Sequence, residues 1–260
     1  MTRRHALLCS ILFASPLLAH AGEQCRFQAP RTLDLDLDGV TGITVLTNEH
    51  DVHVRGVDGN GGAVRGRACA SKQDALDSLQ VVQHREGSRL VIEAKTTHLP
   101  KGWRLFGDQY AYLDVGIAIP KSLPVVLDVG SGDANVENVA SLDAHVGSGD
   151  LDVNRVPGQV SASIGSGDAG FSDIGALRVD SIGSGDLNAN GVRGDVRIDS
   201  VGSGDATLKQ VGGGVDVGSI GSGDLAVNGV GRDLRVRSMG SGDIDHHDVA
   251  GKVEIPRNDD

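Results

Sequence analysis

The stretch Asp186–Leu225, DLNANGVRGDVRIDSVGSGDATLKQVGGGVDVGSIGSGDL, decides the fold. It carries two complete Gly-Ser-Gly-Asp tetrapeptides, Gly202–Asp205 and Gly221–Asp224, and opens on the Asp of a third. The 260-residue chain has seven, ending at Asp133, Asp150, Asp168, Asp186, Asp205, Asp224 and Asp243, at intervals of 17, 18, 18, 19, 19 and 19 residues. Self-similarity at a short fixed period marks a repeat architecture in which each unit stacks on its neighbours.

Each unit is numbered from its Asp as position 0, giving coils 1 to 7. Apolar residues recur at −4, +1, +3 and +6, as in Ile182, Leu187, Ala189 and Val192 of coil 4. Two more precede them, at −8 and −6 in coils 1–3 (Leu142, Ala144) and at −9 and −7 in coils 4–7 (Val196, Ile198). Of these 42 positions only His246 is not apolar. Spacing by two is that of a strand with one buried face, and no 3.6-residue stripe competes with it. The reading is an all-β, single-stranded parallel β-solenoid of about seven regular coils, each with two strands and Gly-rich corners. Parallel crossovers favour a right-handed one. The extra residue in coils 4–7, for example within Asp180-Ser181, leaves both neighbours inward, as a β-bulge does. Position +1 alternates Ala and Leu up to Leu225, and Asn190-Gly191 and Asn228-Gly229 are pairs suited to positive φ.

Alternation turns Asp 0 and Ser −2 outward and both glycines inward. Glycine there allows positive φ or close approach of stacked backbones. Carboxylates ~4.8 Å apart repel by about 0.9 kcal/mol even in bulk water. Turn amides and Ser hydroxyls can answer that locally. A row of calcium ions is the alternative, although nine-residue calcium solenoids carry denser ligands. A phosphate cradle lacks both the Lys and the helix it requires.

Residues 1–21 carry Arg3, Arg4, the apolar run Ala6–Ala19 and an Ala19-His20-Ala21 cleavage signal, the pattern of a secretory signal peptide. The expected location is the periplasm, the cell surface or the medium, with no membrane span. Removing the signal takes two of 24 basic residues and none of 35 acidic ones, moving the net charge from −11 to −13. Such acidity disfavours nucleic acid and anionic lipid. Cys25 and Cys69 remain, and export allows them to pair; two buried thiols are the alternative.

Residues 22–124 are less regular. Residues 31–57 alternate and read as degenerate opening coils. Ser71 and Asp74 read as a capping box before a short helix over Ala75–Leu79. Val81–Gln83 and Leu90–Glu93 read as a hairpin, and Tyr112–Ile119 as a strand. Between them the loop Thr96–Gln109 and the strand that follows carry Trp103, Phe106, Tyr110 and Tyr112. These are four of the six aromatic residues outside the signal, and mark either a partner-binding loop or a cap over the solenoid end. His50 and His53 diverge on a strand, and His246-His247 next to Asp245 and Asp248 fit a frayed last coil better than a metal site. Residues 125–255 hold the repeats, and the polar tail 256–260, headed by Pro256, blocks further strand addition.

The degenerate start LDLDLDGVTGITVLTNEHDVHVRGV, the strand YLDVGIAIPKSLPVVLDVGSGD and the GSGDLxVNGV coils resemble the bacterial DUF4097 putative-adhesin β-strand-repeat proteins and the related head-GIN proteins. The resemblance covers nearly all of residues 31–255. It implies a right-handed β-helix in an exported bacterial protein, and brings no catalytic residue and no cofactor. The expectation is a non-enzymatic envelope protein with an adhesin-like or scaffold role and a protein or glycan partner. A calcium-stabilised repeat protein and a polysaccharide-active β-helix enzyme are the alternatives. The second requires an irregular cluster of acids, whereas the outward acids here are regular.

Overall fold

The structure, a computed structural model, describes residues 25–98 and 109–256. The signal segment, Trp103, Phe106 and the tail 257–260 lie outside them.

The chain forms two eleven-stranded sheets facing each other across one apolar interior. Each regular coil gives one strand to each sheet. Coil 1 does so through β8 (Val125–Val129) and β9 (Ala134–Glu137). Coils 2 to 7 stack on it in parallel, in register from Leu142↔Val125 up to Val227↔His246. Val253–Glu254 then pairs with Leu234–Met239, starting an eighth coil. This is the stacked β-solenoid the period predicts. Of the 42 inward positions, all are buried except Met239, Ile244, His246 and Val249, which are half-buried in coil 7. These four lie in the last complete coil, where only Val253–Glu254 stacks beyond.

The bulge is also where the spacing puts it. The β-ladder between Gln159–Ile164 and Ala176–Ile182 runs Ala162↔Val179 and then Ser163↔Ser181, skipping Asp180. Every later coil repeats the extra residue, so no further register shift is needed. One feature escaped the alternation. Position +5 is left-handed in all seven coils, with φ between 54° and 76° at Asn138, Arg155, Asp173, Gly191, Gln210, Gly229 and Asp248. This turn lets +3 and +6 both face inward, and only two of the seven residues are the glycine that such a φ favours.

The N-terminal part departs from the sequence reading. Within residues 31–57 only one coil forms, from β2 (Gly42–Thr47) and β3 (Asp51–Val57). Leu33 belongs instead to β1 (Phe27–Asp34), which is antiparallel to β4 (Ala63–Ala70). The β2–β3 coil lies directly against coil 1, with Ile43↔Val125 and Val52↔Ala134 in register. On its other side lie β6 (Arg89–Thr96) and β7 (Ala111–Pro120), which follow it in sequence by more than 30 residues. The chain therefore lays down a middle coil, then an outer one, and crosses back over Lys121–Pro124 to start the regular stack. Beyond the outer coil β4 and β1 continue one sheet, and β5 (Leu79–Glu86) the other, all antiparallel. β5 and β6 form the predicted hairpin, turning at Gly87 with φ 61°.

The capping box does not form. A 3₁₀ helix spans Gln73–Ser78, with Lys72 at its N-cap and no side-chain cap. Ser71 is engaged elsewhere: its Oγ accepts the Tyr110 N–H at 3.2 Å and its own N–H donates to the Tyr110 carbonyl at 2.9 Å.

Candidate interaction surfaces

The Gly-Ser-Gly-Asp corners stack into one edge of the solenoid. Asp 0 and Ser −2 face outward in every coil. The Asp carboxylates do not pair with Ser hydroxyls. In coils 1 to 6 the Asp Oδ1 instead accepts the backbone N–H of the Asp in the next coil. The chain of bonds runs Asp133 to Asp150, Asp168, Asp186, Asp205, Asp224 and Asp243 at 2.8–3.1 Å. Asp51 begins it, accepting the Asp133 N–H at 3.1 Å. The carboxylate thus stands where a backbone carbonyl would in a regular ladder. This satisfies a donor that the turn would otherwise leave open, and an N–H held by an ionised acceptor is a strong bond. Among the described residues no group of three or more His, Cys, Asp or Glu is placed to hold a metal ion.

The two glycines meet the expectation in part. Only Gly −1 is inward; Gly −3 is mostly exposed. Neither takes positive φ. At both, an added Cβ would overlap the carbonyl oxygen of the same glycine in the coil before, as at Gly167 over Gly149 and Gly165 over Gly147. Close backbone approach is therefore the whole reason for glycine here.

The corner of the β2–β3 coil is Asn48-Glu49-His50-Asp51, and it keeps only the Asp. His50 stands where Gly −1 stands elsewhere and is 1% exposed. Its Nδ1 accepts the Leu113 N–H at 3.3 Å and its Nε2 lies 3.1 Å from Thr96 Oγ1, which donates to Glu49 Oε1 at 2.9 Å. Burial pushes the imidazole pKa down, against the opposing fields of Glu49 and Asp51. Sequence reasoning saw that His50 and His53 diverge but missed the buried role. The signal was the register: His50 precedes an Asp exactly as Gly132 does.

The outer faces carry ion pairs. On the face bearing the bulges, Arg178 and Arg197 bind Asp199 at 2.5 and 2.9 Å and hold its carboxyl below the usual range. Arg237 binds Asp216 at 2.5 Å. A groove of about 580 Å³ on the return-turn edge is lined by Lys121, Ala140, Arg155, Pro157 and Arg193. Lys121 is bound to Asp58 at 2.5 Å and Arg155 to Glu137.

At the N-terminal end several candidates converge. Cys25 and Cys69 are joined as a disulfide, with Cα atoms 5.6 Å apart. Cys69 sits opposite Tyr112 in the β4–β7 register. The Tyr110 hydroxyl accepts the Arg26 N–H at 3.0 Å, and the Tyr110 and Tyr112 rings are 6.1 Å apart, both half-buried. The disulfide and the two tyrosines, separate features of the sequence, are therefore one structural unit. His246 and His247 stay apart from any such unit: His247 is exposed and lies 3.2 Å from Asp245.

No protein-family model and no curated protein matches the chain. Solved structures do. A putative adhesin from Bacteroides fragilis NCTC 9343 superposes with a TM-score of 0.51 at 15% identity, over 88% of this chain and 97% of that one. A putative adhesin from Parabacteroides distasonis ATCC 8503 gives 0.36 at 14% identity, over 88% and 97%. A putative cell adhesion protein from Clostridium sporogenes ATCC 15579 gives 0.35 at 9%, over 88% and 99%. The first of these shows a shared fold across nearly the full length of both chains.

Proposed function

We propose that this is a non-enzymatic, exported envelope protein with an adhesin-like role, presenting a stiff solenoid surface to a protein or glycan partner. The observation that carries the reading is the near-full-length fold shared with the Bacteroides fragilis putative adhesin. Residues 1–21 support export, and the Cys25–Cys69 pair suits an oxidising compartment. The regular acids support a structural rather than a catalytic use, since the fixed Asp of coils 1 to 6 is engaged with the backbone of the next coil.

The contact region we favour is the N-terminal end, where Tyr110 and Tyr112 stand on the stem of the segment that carries Trp103 and Phe106. Large amphipathic side chains concentrate binding energy, and they cluster nowhere else in this sequence. The test is retention of labelled protein on envelope preparations, comparing the intact chain, Tyr112→Ala and a deletion of Leu99–Asp108. Selective loss of retention in the variants, with unchanged melting, supports a binding end. Equal retention by all three removes this end from the proposal, and no retention of the intact chain removes the adhesin-like role.

A further inference from the structure

We propose that His50 is an acid-sensitive latch at the N-terminal end: neutral, it ties β6 and β7 to the corner of the β2–β3 coil, and protonated, it releases the start of β7 from that corner. The need for a latch comes from the strand ends. β3 begins at Asp51, opposite Asp114, whereas β7 extends back to Ala111. The Leu113 N–H therefore lies past the end of the β3 ladder, in a fully buried residue. A buried donor requires an acceptor, and His50 Nδ1 supplies it.

The bonds also assign the proton. Nδ1 accepts from an amide, so the neutral ring carries its hydrogen on Nε2. Nε2 then donates to Thr96 Oγ1, whose own hydrogen goes to Glu49. A second proton has only Nδ1 to occupy, where it would face the Leu113 N–H donor to donor. The imidazolium would also be buried, held in place by the Thr47 Oγ1 bond to the His50 carbonyl at 3.1 Å. Charged groups on the surrounding elements are mostly acidic. Glu49 and Asp51 flank the ring on its own corner. β6 carries Glu93 and Lys95, paired at 2.6 Å; β7 carries Asp114, held by Arg67 at 3.2 Å; and Asp133 lies on the corner above. The acids favour protonation and burial opposes it, with burial the larger influence.

A group whose pKa is lowered in the folded state stabilises that state above its ordinary value, 6.5 here, and loses the contribution as pH falls through the folded value. The opening is local and one-sided, because Ala111–Leu113 stay paired with Ala68–Ala70 of β4, and β7 from Asp114 onward with both β3 and β4. It frees the side of Leu113 that faces the corner, next to the Tyr110–Tyr112 stem at the end proposed for contact; the latch itself does not depend on that proposal.

The test is amide hydrogen exchange by NMR on the full chain, from about pH 8 to about pH 5, corrected for the intrinsic rate. Protection at Leu113 should fall about tenfold per pH unit from 6.5 down to the folded-state pKa of His50 and level off below it, while Leu151 in the regular coils keeps its protection. In His50→Gln the amide side chain offers an acceptor and a donor without titrating, so the fall should vanish. Flat Leu113 protection in the wild type, or an equal fall in His50→Gln, overturns the latch. Should that variant not fold, the imidazole titration followed in the wild type decides: a midpoint below 6.5 supports the latch, and one at or above it overturns it.

Discussion

Two kinds of corner lie in one column of this molecule: seven Gly-Ser-Gly-Asp corners and the Asn48–Asp51 corner immediately before them. They share a backbone path and one hydrogen bond, the N–H of an Asp to the carboxylate of the Asp one coil earlier. They do not share glycine. Gly132 must be glycine because the His50 carbonyl lies under it, and Gly149 because the Gly132 carbonyl does. Beneath the corner at His50 the described residues place the ends of β6 and β7 rather than another such corner, and there a side chain is accommodated and put to use. The Asp therefore belongs to the corner itself, and the glycines to the stacking of one corner on another.

That distinction can be broken at the glycine first. Gly167→Ala, in the middle of the stack, should cost about 3 kcal/mol, since the new Cβ can be accommodated only by moving one coil away from the next. Gly61→Ala, where nothing lies within 4 Å, should stay within about 0.5 kcal/mol. Urea unfolding of the two variants measures the contrast, and similar losses for both would refute it.

Making the exceptional corner resemble the others comes next. His50→Gly should fold, because the backbone path is unchanged, yet lose about 2 kcal/mol by leaving the buried Leu113 N–H without its acceptor. A gain in stability would mean that glycine is preferred even at the bottom of the column.

The Asp should respond to chemistry rather than to charge. Asp168→Ala removes the acceptor for the Asp186 N–H and should cost about 1 kcal/mol. Asp168→Asn keeps an acceptor oxygen and reduces repulsion along the row, so its loss should be smaller. If Asn proves as damaging as Ala, the carboxylate charge itself is required, and a bound cation becomes the better explanation.

The smallest effect belongs to the opposite edge, where +5 is left-handed without being glycine in most coils. Gln210→Gly should raise stability by roughly 0.5 kcal/mol, the relief of a Cβ at φ 54° less the added chain entropy of glycine. A lower melting temperature would show that the Gln210 side chain contributes more than its backbone strain removes.

Much of this was legible residue by residue. Val153, Ile182 and Val217 announce their burial by spacing, and Asp180 announces the bulge by being one residue too many between two inward neighbours. His50 did not announce itself, since an isolated His beside an Asp reads as surface until the register aligns it with Gly132. Tyr110, Tyr112 and the Cys25–Cys69 pair read as separate features, because what joins them is antiparallel pairing between strands more than 40 residues apart.

The sequence by itself determined the coil, its two strands, its inward residues and the stacking of seven such units. A repeated pattern leaves each coil only one kind of neighbour, so local alternation and global pairing carry the same information. The tertiary structure alone decided the order of the irregular end, where the β2–β3 coil is made first yet sits inside β6 and β7. Alternation says which face of a strand is buried, never which strand it pairs with. Where no two segments are alike, that choice falls to packing across distant parts of the chain. The acceptor of each Asp was decided in the same way: a carboxylate can reach several donors, and only the distance between stacked coils selects one.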